Sequence, residues 1–149
     1  MDRDKITECA RWLGIVSQLY STRLSQILAT HEMTVGQFGI LNHLSRDKDN
    51  QSLRISDIAR AVEVNQPAVT KAIARFESAG LVELSDDTKD KRAKRVQLST
   101  KGQNHLAQVY HSIGPGFSGL FEQFDTAALD QLTGHLKSLG RWLDENRLP

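Results

Sequence analysis

Between Ser56 and Leu98 the apolar period of the chain changes twice, and those changes leave few folds open. Ile58, Ala59 and Val62 fit one face of a short helix that Ser56 can cap. Glu63 to Asn65 break the pattern, and a second helix is expected from about Gln66 to Ala79. Asn65 offers a capping side chain, Pro67 falls in the first turn where its missing amide costs little, and Gly80 ends the helix. Val69, Ala72, Ile73 and Phe76 make the inner stripe of this helix. Its opposite face carries Pro67, Lys71, Ala74 and Ser78, flanked by Thr70 and Arg75. After Gly80 the period drops to two: Leu81-Val82-Glu83-Leu84-Ser85, a charged segment, then Val96 and Leu98 alternating with Arg95 and Gln97. This predicts a β-hairpin with a long basic tip.

The flanks are helical. Ile6, Cys9, Leu13, Val16, Tyr20, Leu24 and Ile27 recur every three or four residues, which predicts one long amphipathic helix over 4–29. Thr34 and Gln37 have capping-box spacing ahead of Phe38, Leu41 and Leu44, and SRDKDNQS after them reads as a polar loop. Thr100 and Gln103 suggest another capping box, opening a helix that Gly114-Pro115-Gly116 should interrupt before it resumes through Phe117, Leu120, Phe121 and Phe124. A last helix over 127–146 carries Leu129, Leu132, Leu136, Leu139 and Leu143, with Trp142 beside them.

The fold class that follows is mainly α with a small β-hairpin wing: a winged helix-turn-helix plus N- and C-terminal helices. Residues 33–100 form the winged helix-turn-helix, and 1–32 with 101–149 form the helical remainder. The terminal stripes exceed what a winged body of about seventy residues needs to cover itself. Ile6, Trp12, Leu13, Leu129, Leu132, Leu136, Leu139, Trp142 and Leu143 are therefore expected to bury each other across a homodimer axis, the other reading being that they pack only within one chain.

Net charge is +1, but its distribution is uneven. Residues 54–101 hold ten Lys/Arg against seven Asp/Glu, while 102–149 hold three against five. Lys89, Lys91, Arg92, Lys94 and Arg95 fall within seven residues that contain one acid, Asp90. The arrangement suits duplex DNA. A major groove about 12 Å wide admits one helix, where Ala68 and Ala74 permit close approach and Asn65, Gln66, Thr70, Lys71 and Arg75 offer hydrogen-bonding groups. A cationic wing can follow phosphates or place an arginine in a narrow minor groove.

The run ISDIARAVEVNQPAVTKAIARFESAGLVELSDDTKDKRAKRVQLSTKG, with MTVGQFGILNHL before it, resembles the core of the MarR family of bacterial regulators over residues 33 to 102. Its most specific signs are Gln66-Pro67-Ala68-Val69-Thr70-Lys71, the Glu77-x-x-Gly80-Leu81-Val82 exit, and Asp90-x-Arg92. The resemblance implies a sequence-specific transcriptional regulator that binds a pseudo-palindromic operator in double-stranded DNA as a homodimer, usually as a repressor released by a small ligand or by oxidation. It assigns Arg92 as the DNA-contacting wing arginine and Asp90 as the carboxylate orienting the wing, with Lys89, Lys91 and Lys94 beside them. Glu83 and Leu84 depart from relatives that carry a basic residue there.

The resemblance also raises sensing roles. Relatives bind aromatic anions near the junction with the DNA-binding lobe, which makes Arg11, Tyr20 and His43 candidate pocket residues for a small aromatic or anionic effector. Some relatives sense peroxide through a cysteine in the first helix. Against that role, Cys9 lies on the apolar stripe, has only Arg11 nearby as a cation, and Val35 stands where those relatives place tyrosine. Certain relatives sense zinc, but the five histidines are at least six residues apart and no metal-site spacing occurs. No metal, cofactor or catalytic motif is expected, and hence no enzyme. No apolar run approaches the roughly 20 residues of a membrane span, and the amino terminus lacks a signal-peptide pattern, so the expected location is cytoplasmic. A winged-helix module for protein contacts stays the alternative, opposed by the basic tip.

Overall fold

A computed structural model describes residues 2–46, 49 and 51–149, in which six helices and three short strands alternate. The first helix, α1 (Arg3–Ala29), starts where Asp2 Oδ1 accepts from the amides of Asp4 and Lys5 at 3.1 and 3.4 Å. Its last turns bury Leu24 and Leu28. Helix α2 (Val35–Ser45) opens with a complete capping box: the Gln37 amide donates to Thr34 Oγ1 at 3.1 Å and the Thr34 amide to Gln37 Oε1 at 3.0 Å. Phe38, Ile40, Leu41 and Leu44 turn inward. Asp47, Lys48 and Asn50 of the expected polar loop lie outside the described residues.

The helix pair forms as its pattern demands. Helix α3 (Ile55–Val62) buries Ile58 and Ala59, and Glu63 stops it with a left-handed backbone at φ 56°. Such a conformation costs a side-chain-bearing residue about 1–2 kcal/mol, so it marks a turn that packing enforces. Helix α4 (Gln66–Ser78) begins where Asn65 Oδ1 accepts from the Ala68 amide at 2.9 Å, and it buries Val69, Ala72, Ile73 and Phe76. Gly80 at φ 74° closes it, with the Leu81 amide returning to the Phe76 carbonyl at 2.8 Å. Strands β2 (Val82–Asp86) and β3 (Lys94–Leu98) then pair antiparallel, Leu84 opposite Val96.

Four expectations need correction. Ser56 does not cap α3: it lies within the helix, and Arg54 precedes the helix without a side-chain cap, because the chain arrives there as a strand. That strand, β1 (Leu53–Arg54), pairs with β3 on the side away from β2, giving the order β1-β3-β2. Thr100 is already helical in α5 (Thr100–Phe121); Ser99 supplies the cap, its Oγ accepting from the Gly102 amide at 2.9 Å. Pro115 does not interrupt α5, which runs on through Phe121. One proline forfeits a single backbone hydrogen bond, and the adjoining turns of a 22-residue helix continue on either side. Phe124 falls in the turn after α5.

The Gly-Pro-Gly segment instead marks a limit of compactness, since the chain forms one compact unit through Ile113 and another from Gly114 to Pro149. In the first unit Leu28, Ile40, Leu41, Ile58, Ile73, Val96 and Val109 are almost fully enclosed. The start of α5 lies very close to the wing: a Cβ on Gly102 would sit 2.0 Å from the Leu81 carbonyl oxygen, so no other residue fits. In the second unit, α6 (Thr126–Glu145) starts on an Asp125 cap and buries no residue.

Candidate nucleic-acid interface

Because Val69, Ala72, Ile73 and Phe76 are fixed inward, helical geometry turns Gln66, Ala68, Thr70, Lys71, Ala74, Arg75 and Ser78 outward, and all seven are exposed. Asn65 is also exposed, but its side-chain oxygen is engaged as the cap of α4. Arg75 bends back, donating to the Glu32 carbonyl at 3.4 Å. With Lys71 it lines a cleft of about 400 Å³ that also includes Thr34, Gln37, Ile40 and Val64.

The wing splits its charges between tip and base. At the tip Lys89 and Lys91 are exposed, and Arg92 leaves 93% of its side chain in water. Asp90 Oδ1 accepts from the Arg92 amide at 3.0 Å and from Nε at 3.3 Å, which directs that arginine. At the base Lys94 pairs with Asp86 across the hairpin. Arg95 does not face outward as a free cation: it donates to Asp87 Oδ2 at 3.0 Å, to Ser52 Oγ at 2.9 Å and to the Ser52 carbonyl at 2.5 Å.

Asp87, which the sequence pattern did not single out, is the sole buried polar or charged side chain among the described residues. Arg54 grips it with two parallel bonds, Nε to Oδ2 at 2.8 Å and the terminal nitrogen to Oδ1 at 2.9 Å. The amides of Lys89 and Asp90 donate to Oδ1, each at 2.9 Å. The Arg54 guanidinium first, then these amides and Arg95, hold the Asp87 carboxyl far below the usual carboxylate range. Two of the middle segment's cations are thus spent inside the fold. Nothing in the spacing of the charged segment distinguishes Asp87 from its neighbours Asp86 and Asp90.

The expected effector residues do not converge within one chain. Arg11 and Tyr20 are nine residues apart on α1, about 13 Å along the axis and on opposite sides of it, and neither they nor His43 line the cleft beside α4. His43 is half-buried on α2, and burial, then Arg46, lowers its pKa. His31 meets Ser112 Oγ at 2.8 Å and stands edge-on to His105, whose pKa is lowered by burial, then by His31 and Lys101. Among the described residues no three His, Cys, Asp or Glu side chains cluster as a metal site would require.

Cys9 is exposed on α1, as are Ile6, Trp12 and Leu13. On α6 Leu136, Leu139, Trp142 and Leu143 are exposed, and Leu129 and Leu132 are half-buried. No helix among the described residues is long and apolar enough to cross a membrane.

Comparison with known proteins agrees with this architecture. Residues 31–93 match the model of the MarR family. The transcriptional regulator AdcR of Streptococcus pneumoniae is 27% identical over 124 residues, covering 72% of this chain and 85% of its own. A MarR family protein from Bacillus stearothermophilus shares the fold at a TM-score of 0.81 and 20% identity, covering 96% of this chain and 98% of its own. A point mutant of MarR from E. coli, solved in complex with operator DNA, shares it at 0.72 and 22%, covering 91% and 96%. A helix pair, an antiparallel wing against it, helical flanks and the matched segment together make the chain similar, in fold and over residues 31–93 in sequence, to the MarR family of winged-helix transcriptional regulators.

Proposed function

We propose that this protein is a cytoplasmic homodimer that binds a pseudo-palindromic operator in double-stranded DNA and acts as a repressor released by a small aromatic or anionic effector. The observation that carries the reading is the pairing of an exposed polar face on α4 with an exposed cationic wing tip. Gln66, Thr70 and Lys71 reach base edges in the major groove, Ala68 and Ala74 let the helix approach, and Arg92 enters the flanking minor groove. Lys89, Lys91 and Lys94 follow phosphates, and Asp90 directs Arg92. Residues 33–100 form the reading body; 1–32 and 101–149 form the dimerisation region, each protomer covering the other's exposed apolar side chains. Two reading helices related by a two-fold axis then meet half-sites about 34 Å apart, one turn of B-DNA.

The test is binding to a duplex selected from a random pool by the protein, and to an unselected duplex of equal length, across a salt series. Gln66→Ala should relax selectivity at particular positions, costing about 1–3 kcal/mol for a bidentate contact. Arg92→Ala should weaken the selected duplex most where its flanks are rich in A·T pairs. An Arg92→Ala variant that binds like the parent, with the same salt slope, removes the wing from the reading.

A further inference from the structure

The ladder of the wing ends at Asp86 opposite Lys94, and the tip lies beyond it. Within that tip the Asp87 amide donates to the Ala93 carbonyl at 3.1 Å and the Ala93 amide to the Asp90 carbonyl at 3.0 Å. These bonds close the loop onto the hairpin but make no link to the helix-turn-helix. Among the described residues, the side-chain hydrogen bonds that join the tip to the rest of the body all run through Asp87. One carboxylate binds the tip amides of Lys89 and Asp90, Arg95 on β3, and Arg54 at the residue before α3. Arg95 extends the tie to Ser52, ahead of β1.

We propose that Asp87 is a positioning residue for DNA reading: it sets the direction of the wing tip relative to the helix-turn-helix, so that Arg92 and α4 engage one duplex in register. The inference rests on the proposed role of the wing. Stability gives little reason for the arrangement, since buried ion pairs seldom outperform apolar packing and the hairpin already buries Val82, Val96 and Leu98. Binding charge gives even less reason. A carboxylate facing phosphates opposes association, and this one also occupies two guanidinium groups suited to phosphate. What the carboxylate supplies is geometry, five directed bonds on one buried group.

The two accounts predict opposite signs. Asp87→Asn keeps the size and removes a negative charge near the DNA-facing surface. If Asp87 acted only through charge, the variant would bind every duplex more tightly with a steeper salt slope. The positioning role predicts instead that affinity for the selected duplex falls about tenfold while the unselected duplex is bound no more weakly, and that Asp87→Asn costs little further in an Arg92→Ala background. Arg54→Gln, which leaves Asp87 its other partners, should show a smaller loss of selectivity in the same direction. It also carries the test should Asp87→Asn fail to fold.

The proposal is overturned if a folded Asp87→Asn retains the parent's selectivity, if both duplexes weaken by the same factor, or if the losses with Arg92→Ala simply add. It is overturned equally if both Asp87→Asn and Arg54→Gln unfold the helix-turn-helix, which would make the cluster a folding element. Failure of the parent to bind any duplex, or an Arg92→Ala variant that binds like the parent, removes the underlying reading and this proposal with it. A loss in Arg92→Ala without one in Asp87→Asn removes the proposal alone.

Discussion

Ile58, Ile73 and Val96 lie almost wholly inside the winged body, whereas Trp12, Leu136 and Trp142 each leave half or more of their surface to water. The same chemistry, large apolar side chains at helical or strand spacing, thus has two outcomes. In residues 33–100 the helices and the sheet cover one another together with Leu24 and Leu28 of α1 and Leu106 and Val109 of α5, and the surface is left to polar groups such as Gln66 and Lys91. On α1 and α6 the stripes are as regular, yet α6 buries none of its residues and α1 only Leu24 and Leu28. Burying a leucine fully yields about 1.5–3 kcal/mol, so such faces carry a large unspent driving force.

The sharpest way to break that contrast is to place Asp at both Leu136 and Leu139. Unpaired carboxylates in an apolar interface should weaken association by about a thousandfold or more, and sedimentation would show monomer. An unchanged dimer would move the interface off α6. Next, Ile73→Ala should cost about 2–5 kcal/mol by opening a cavity in the winged body, lowering the midpoint of thermal unfolding without loosening the dimer at working concentration. Coupled loss of both would mean that the two regions are not separate in energy.

Acid should distinguish the regions as well, because the winged body carries the buried carboxylate. The folded Asp87 carboxyl titrates far below the usual range, while the unfolded one titrates near 3.9. Its contribution is therefore complete above about pH 4 and is lost as the pH falls through that value toward the folded one. Denaturant midpoints measured from pH 5 down to about pH 2.5 should decline, and Asp87→Asn should flatten that decline. An identical slope in the variant would show that Asp87 contributes nothing to it. The smallest effect belongs to the tip: Lys89→Ala or Lys91→Ala should lower affinity for all duplexes alike and reduce the salt slope by about one counterion per subunit. A selectivity change from either lysine would make it a base reader.

How far the sequence spoke depended on how local each decision was. The Thr34–Gln37 box, the Asn65 cap and the inner stripe of α4 rest on neighbours within four residues, and they were legible. β1 was not, since two residues have no period and pair only because β3 comes alongside. Ser99 displaced Thr100 as the cap of α5 through a contact nineteen residues away, its Oγ donating to the Gly80 carbonyl at 2.6 Å. The interface followed the same rule. Lys89, Lys91 and Arg92 stayed outward as the cluster suggested, but Arg95 was drawn to Ser52 and Asp87, and a charge count has no knowledge of such partners.

The close approach of Gly102 to Leu81 has a mechanical side. Lys101 Nζ donates to the Ala79 carbonyl at 2.8 Å, Ser99 holds Gly80, and Gly102 removes the last clearance, so the first turn of α5 and the last turn of α4 form a joint without slack. α4 spans about 20 Å from that joint to Gln66. A tilt of about 5° entering through α5 would therefore swing the far end of α4 by about 2 Å, more than half the length of a hydrogen bond. The joint acts as the short arm of a lever whose long arm is α4, and small rotations at one end become displacements of about a side-chain contact at the other.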